Sequence, residues 1–131
     1  LYVNRRGSPY STQYCVFDLA RKIRLIHAMT LASNRSDNRL WITETNWPLL
    51  NTKPYTPNSG LPRSTVDEET QAKYLSDYYR IAYTSGRVER VYWWQLVNPG
   101  YGLIDHRGSQ IRKMPSFHAF ERLLNTDVLH E

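Results

Sequence analysis

Short apolar runs and longer runs of helical periodicity alternate along the 131-residue chain, and this alternation restricts the fold more than any other feature. The strand-like runs lie at residues 1–3, 40–44 and 90–96, and the helical runs at about 14–32, 67–85 and 115–124. Strands that alternate with helices form parallel sheets through right-handed crossovers. The sequence therefore predicts an α/β fold in which three parallel strands lie side by side, with the helices on one face of the sheet.

Each helical run has its own boundary signals. The second follows Thr65-Val66-Asp67-Glu68, which has the pattern of a capping box, so Thr65 is expected to cap this helix. Gly86 is expected just past the end of the same helix in a left-handed conformation. Pro115 suits the first position of the third helix. In the first helix the apolar positions recur every three or four residues, at Val16, Leu19, Ala20, Ile23 and Ile26.

The second strand-like run leads directly into one carboxylate, Glu44. Because side chains alternate along a strand, Glu44 is expected to face the same side as Leu40 and Ile42. A long loop, residues 46–64, follows, and loops after strand carboxyl ends build the sites of α/β proteins. A carboxylate at this position suits a nucleophile or a general acid. The alternative is a Glu that closes the strand and pairs with Arg or Lys.

The third strand-like run carries adjacent tryptophans, Trp93 and Trp94, followed by Gln95. Sugar rings present C–H faces that pack on aromatic rings, and their hydroxyls need polar partners such as an amide. Large aromatic residues in a buried strand more often belong to the core, and we expect this of Trp93. By alternation Trp94 faces the opposite side, and we expect it to belong to the site.

Together these segments resemble a known family, the retaining, clan-A type glycoside hydrolases with the (β/α)8 barrel fold. Residues 40–47, Leu-Trp-Ile-Thr-Glu-Thr-Asn-Trp, resemble strand seven, and residues 91–96, Val-Tyr-Trp-Trp-Gln-Leu, resemble strand eight. Residues 1–4 are similar to strand six, and residues 114–120 resemble the start of the last barrel helix. The resemblance implies a partial TIM (β/α)8 barrel of about three consecutive parallel βα units, with residues 1–131 as the C-terminal fragment of a catalytic barrel.

The resemblance also implies roles for particular residues. Glu44 matches the catalytic nucleophile, and the residues expected to contact the sugar are Tyr2, Asn46, Trp47, Trp94 and Gln95.

One departure from the family pattern is plain. The acid/base Glu of that clan follows an Asn at the end of strand four, and the chain contains no Asn-Glu pair. Asp105 is the only other acid expected at the site end. A retaining mechanism needs two carboxyl groups, so the isolated chain is expected to be inactive.

Composition restricts the partners. The net charge of +5 comes from Lys and Arg spread along the chain without a nucleic-acid motif, so no nucleic-acid partner is expected. No apolar run approaches the roughly 18 residues of a membrane helix, and no membrane association is expected. The single Cys15 and the spacing of the His residues indicate no metal site, and no cofactor is expected. The Arg5-Arg6 pair is either structural or in contact with an acidic sugar or Glu44.

Three strands cannot close an eight-stranded barrel. The inner face, including Ile42 and Tyr92, is therefore expected to face water or another chain, and the fragment is expected to self-associate through it. The alternative function is a non-catalytic carbohydrate-binding or assembly module. A basic nucleic-acid-binding domain is the weakest reading.

Overall fold

The computed structural model describes residues 9–34, 38–50 and 65–126, with side chains from Leu19 onward. The predicted strand at residues 1–3, which holds Tyr2, lies outside the described residues, as do Arg5, Arg6 and most of the long loop. The described elements, in chain order, are α1 (Pro9–Ser33), β1 (Leu40–Thr45), α2 (Glu68–Thr84), β2 (Val88–Trp93), β3 (Ile104–Asp105), β4 (Arg112–Lys113) and α3 (Pro115–Asn125).

The strands β1 and β2 pair in parallel, with α2 as the connection between them. The predicted α/β class and the parallel pairing of the second and third strand-like runs are confirmed. The strand β2 is shorter than predicted because it ends at Trp93 rather than at residue 96. A small antiparallel hairpin, β3 with β4, follows it and was not expected from the sequence.

Two opposite shifts in register interrupt the pairing of β1 with β2, the first between Leu40 and Trp41 and the second between Ile42 and Thr45. Ile42 pairs with Val91 and Thr45 with Trp93, so three steps along β1 match two steps along β2. Ile42 and Thr45 are both buried, whereas Thr43 is exposed and Glu44 is partly exposed. The regular alternation on which the expected face of Glu44 rests is interrupted between Ile42 and Thr45, so the side of the sheet that Glu44 faces stays a prediction.

The helices α1 and α2 cover only one face of the β1–β2 pair. Ile42 is 0% exposed because it packs in the core under these helices, so the expectation that it faces water is wrong. Tyr92 is 45% exposed, as expected. We call the uncovered side the open face, and its members are Trp41, Thr43, Arg90, Tyr92 and Trp94. The core under the helices consists of Leu19, Ile23, Leu40, Ile42, Trp47, Tyr78 and Ala82.

A second apolar cluster joins α2 to α3. The edge-to-face pair Tyr79 and Phe120, with ring centroids 5.3 Å apart, lies at its border. Its buried members are Ala72, Leu75, Leu103, Ala119 and Leu123. Because Leu103 precedes β3, this cluster fixes the segment after β2 against the two helices.

The structure confirms some of the helix ends predicted from the sequence and corrects others. Asp67, not Thr65, caps α2, because its carboxylate lies directly before the first helical residue and accepts from the Thr70 amide at 2.7 Å. Gly86 has a φ of +62°, which confirms the left-handed residue expected past the end of α2. The helix α1 begins at Pro9, earlier than predicted. No helix in the described part of the chain is long and apolar enough to cross a bilayer.

The buried face of β1 can be tested by stability. Ile42→Ala removes a side chain that is fully buried and should lower the free energy of unfolding by about 2–5 kcal/mol. Its neighbour Thr43 is exposed, and Thr43→Ala should change that free energy by less than about 1 kcal/mol. Urea titration of both variants measures the difference. The reverse order would place the core on the other face of the strand.

Candidate functional site

The carboxyl ends of β1 and β2 bring four of the predicted site residues to one edge. Thr45 pairs with Trp93, and the next amide, that of Trp94, donates to the Thr45 carbonyl at 3.0 Å. Glu44 and Asn46 flank Thr45 in the chain. The sheet edge therefore holds Glu44, Asn46, Trp94 and Gln95 together. Of the other two predicted substrate contacts, Trp47 is described below and Tyr2 lies outside the described residues.

Glu44 has a carboxylate that is available to a ligand. Its residue is partly exposed, and within the described part of the chain its carboxylate has no hydrogen-bond or ion-pair partner. It differs in this from Ile42, which is fully buried in the core. The alternative interpretation, a Glu that closes its strand in an ion pair, has no support among the described residues.

The two adjacent tryptophans lie on opposite sides, as expected. Trp93 packs against both apolar clusters, and its indole N–H donates to the Tyr101 carbonyl at 3.1 Å. Trp94 lies on the open face and is 49% exposed. The peptide bond between Trp94 and Gln95 is cis. A half-exposed indole at this strand end offers an apolar platform to a ligand ring.

Asn46 joins the two strand ends from within the protein. Its side-chain amide donates from Nδ2 to the Trp94 carbonyl at 2.8 Å, and the residue is only 4% exposed. The Oδ1 atom is buried without a partner among the described residues. A buried acceptor without a partner costs about 1–3 kcal/mol of folding free energy. The unpaired Oδ1 atom of Asn46 therefore lowers stability at this edge of the sheet.

Trp47 belongs to the core in this structure. It is 3% exposed, and its ring centroid lies 5.3 Å from Tyr74, 5.7 Å from Tyr78 and 6.1 Å from Trp93. A sugar has no access to a ring that is enclosed by three other rings. The described geometry therefore favours a packing role for Trp47 over the substrate contact expected from the sequence.

Two residues of α2, which the sequence analysis did not select, form hydrogen bonds to the carboxyl end of β1 and to the segment directly after it. The Tyr78 hydroxyl is hydrogen-bonded to the Thr45 side chain, and burial raises the pKa of Tyr78 to about 12, so it stays neutral. Gln71 donates from Nε2 to the Trp47 carbonyl at 2.8 Å. Both are fully buried. Their spacing of seven residues, on the stripe that also contains Leu75, is the sequence signal that could have identified them.

The segment after β2 ends in an ion-paired hairpin. Asp105 accepts from the Arg107 side chain at 3.0 and 2.7 Å, and Arg112 lies 3.6 Å away. The hydrogen bonds from Arg107 hold the pKa of Asp105 well below its usual range. Arg112 also forms a two-bond pair with Glu68 at the start of α2. Asp105 stays ionised at neutral pH and therefore cannot serve as a general acid.

A tight turn connects β2 to this hairpin. Gly102 donates to the Asn98 carbonyl at 2.8 Å, and the Asn98 side chain accepts from the Gly100 amide at 2.8 Å. A Cβ on Gly102 would lie 2.4 Å from the Asn98 nitrogen, so only glycine fits. Trp94, which precedes this turn, remains half-exposed.

The open face is charged and aromatic at the opposite end of the strands. Glu89 accepts from the Trp41 indole at 2.6 Å and from Arg39 at 3.1 Å. The Arg90 guanidinium lies 4.6 Å from the centroid of the Trp41 ring. Glu89 is thus engaged by other side chains, unlike Glu44.

No family model matches the chain, and neither a curated protein nor a solved structure matches it. Within the described residues, no three side chains of His, Cys, Asp or Glu come together as a possible metal site. The candidate site is therefore defined by its geometry, the pairing of a partner-free carboxylate with a half-exposed indole.

The ion pairs of Asp105 predict a pH-dependent stability. The folded-state pKa of Asp105 is lowered, so its stabilisation is present above the unfolded value of about 3.9 and is lost as the pH falls below it. Asp105→Asn should lower the free energy of unfolding by about 2–4 kcal/mol at pH 7. The difference from the wild type should narrow below about pH 4.

Asp77→Asn is the matched control because Asp77 forms an exposed helical pair with Lys73. It should change stability by at most about 0.5 kcal/mol at pH 7. Denaturant titrations at several pH values measure both variants. Equal losses of unfolding free energy in the two variants would show that the ion pairs of Asp105 stabilise the fold no more than an exposed helical pair does.

Proposed function

We propose that this chain is part of a (β/α)8-barrel glycoside hydrolase that retains anomeric configuration, with Glu44 as its nucleophile. One observation carries the proposal. The partly exposed Glu44 and the half-exposed Trp94 lie at the carboxyl ends of neighbouring parallel strands. In (β/α)8 barrels the active site is at this end of the strands.

The arrangement of helices supports the barrel part of the proposal. Adjacent βα units of a closed barrel place their helices outside and their strands inside. Here β1 and β2 are parallel, and α1 and α2 pack on one face only. In the proposed barrel the open face lines the interior, and strands from outside this chain complete it. The predicted strand at residues 1–3 would then lie on the other edge of β1.

The chemistry proposed for Glu44 is a double displacement. Its carboxylate attacks the anomeric carbon, the glycosidic C–O bond breaks, and a general acid protonates the departing oxygen. The glycosyl ester that forms is then attacked by water, which the same acid group, now a base, deprotonates. The sugar leaves as a hemiacetal, and the carboxylate of Glu44 is regenerated.

The second carboxyl group is proposed to come from outside this chain. A retaining site needs its two carboxyl groups about 5–5.5 Å apart. Glu68 and Asp105 are bound by Arg112 and Arg107, and Glu89 is held by Arg39 and Trp41. These engagements favour an acid/base group on another part of the barrel. The isolated chain is therefore expected to have no glycosidase activity.

Sugar positioning is assigned to Trp94 and Gln95. A half-exposed indole fits the C–H face of a sugar ring, and an amide can bond to its hydroxyls. Tyr2 remains a predicted contact. No metal or cofactor is invoked in this mechanism.

The first test is Glu44→Gln in the full-length protein. Turnover should fall by several orders of magnitude, because an amide cannot form the covalent ester. Aryl glycosides with good leaving groups are the substrates of choice, since they need little protonation. The matched control is Glu69→Gln, an exposed residue in the first turn of α2, which should leave turnover unchanged.

A trapping experiment identifies the nucleophile directly. A 2-deoxy-2-fluoro glycoside with an activated leaving group should label the protein once, and peptide mass spectrometry should place the label on Glu44. Labelling of another carboxylate, or wild-type turnover in Glu44→Gln, would remove Glu44 from this role.

A non-catalytic carbohydrate-binding module is the second candidate. It is favoured by the three half-exposed aromatic residues of the open face, Trp41, Tyr92 and Trp94, which could bind sugar without chemistry. Trp94→Ala should weaken sugar binding about tenfold or more, measured by calorimetry. The catalytic proposal requires turnover in addition. Sugar binding by a full-length protein that never turns over activated glycosides would favour the binding module.

A further inference from the structure

Asn46 is placed where it can control the position of Trp94. Its Nδ2 donates to the Trp94 carbonyl at 2.8 Å, and the Trp94 amide donates to the Thr45 carbonyl at 3.0 Å. Both polar groups of the Trp94 backbone are thus bound by the two residues that directly follow Glu44. The nucleophile and the indole are connected through a path of only two residues and two hydrogen bonds.

We propose that Asn46 is a positioning residue, which holds the Trp94 indole in register with Glu44 and does not itself contact the sugar. This inference rests on the proposed function. It replaces the substrate contact expected from the resemblance, and it assigns the amide a backbone partner instead.

The burial of Asn46 supports a positioning role. The residue is 4% exposed, and its Oδ1 atom is buried, so a sugar hydroxyl cannot reach it without displacing protein atoms. The amide N–H, which a sugar could otherwise use, is occupied by the Trp94 carbonyl. Asn46 therefore acts through its hydrogen bond to the Trp94 backbone rather than through a contact with the sugar.

The position of Trp94 depends on its hydrogen bond with Asn46. Trp94 is beyond the last residue of β2, so the ladder of β1 and β2 no longer constrains it beyond its amide. Removal of the Asn46 amide would leave the Trp94 carbonyl without this donor. A reacting group displaced by about 1 Å can cost roughly 100-fold in rate. A platform that shifts against Glu44 should therefore lower kcat more than it changes KM.

The kinetic test compares Asn46→Ala and Asn46→Asp with wild type in the full-length protein, using an activated aryl glycoside. Both variants should lose about tenfold or more in kcat at neutral pH, with KM within about threefold of wild type. Asn125→Ala, at the exposed end of α3, is the matched control and should keep both constants. Unchanged kcat, or a rise in KM alone, would overturn the inference, because the latter indicates a substrate contact.

A second measurement separates positioning from a general loss of structure. In Asn46→Asp the protonated carboxyl group can donate to the Trp94 carbonyl, whereas the ionised group cannot. Acrylamide quenching of Trp94 fluorescence should therefore rise at neutral pH and return toward the wild-type value as the pH falls to about 4. Asn46→Ala should show increased quenching at every pH.

Other titrating groups must be accounted for in this measurement. Glu44, Tyr92 and Tyr78 lie near this strand end on β1, β2 and α2, and Arg90 bonds to Tyr92 from further back along β2. All four are present in both variants. The exposed Trp41 is replaced by Phe in every protein used, so that Trp94 gives the solvent-accessible signal. Identical pH responses in the Asp and Ala variants would overturn the inference.

The quenching experiment needs no activity. It therefore distinguishes failure of this inference from failure of the proposed function, which the trapping experiment on Glu44 decides independently.

Discussion

The parallel pairing of β1 with β2, with its shift in register between Ile42 and Thr45, is the constraint on which the candidate site depends. Ile42 and Thr45 are both buried although three positions separate them, and Glu44, which lies between them, is partly exposed. An ionised carboxylate is expensive to bury without partners. The partial exposure of Glu44 at the end of its strand therefore leaves its carboxylate in contact with solvent or a ligand.

The same edge is supported by a continuous layer of aromatic residues. Trp47, immediately after Asn46, packs among Tyr74, Tyr78 and Trp93, and its carbonyl accepts from Gln71. The residues on either side of the site are therefore held by buried ring contacts and a buried hydrogen bond. A substitution in this layer is expected to alter stability and the geometry around Glu44 together, because the two depend on the same contacts.

The carboxylates of the described residues differ in whether another group of the protein binds them. Asp105 and Glu68 are bound by arginines at the hairpin, Asp67 caps α2, and Glu89 is bound to Arg39 and Trp41. Glu44 has no such partner among the described residues. An ion-paired carboxylate stabilises a fold, whereas a carboxylate at a strand end without a partner remains available for a ligand. This contrast, more than any sequence motif, directs attention to Glu44.

Local signals in the sequence were sufficient for the order of elements. Apolar periodicity predicted the helices and strands, Gly86 marked the end of α2, and the strand-to-carboxylate transition identified Glu44. The parallel pairing of β1 with β2 follows from this order, but its shifts in register could not be predicted, because they arise between two strands rather than from either alone. The burial of Ile42 could not be predicted either, because it depends on which face of the strands the helices cover.

Sequence alone determined the α/β class and the residues at the strand ends, since hydrophobic period and turn residues are properties of local segments. Only the tertiary structure decided which of these residues are accessible. Trp47 and Trp94 have the same side chain at equivalent-looking strand ends, yet one lies under three aromatic rings and the other is half-exposed. Burial depends on neighbours distant in the chain, and those neighbours are fixed only when the strands and helices have packed.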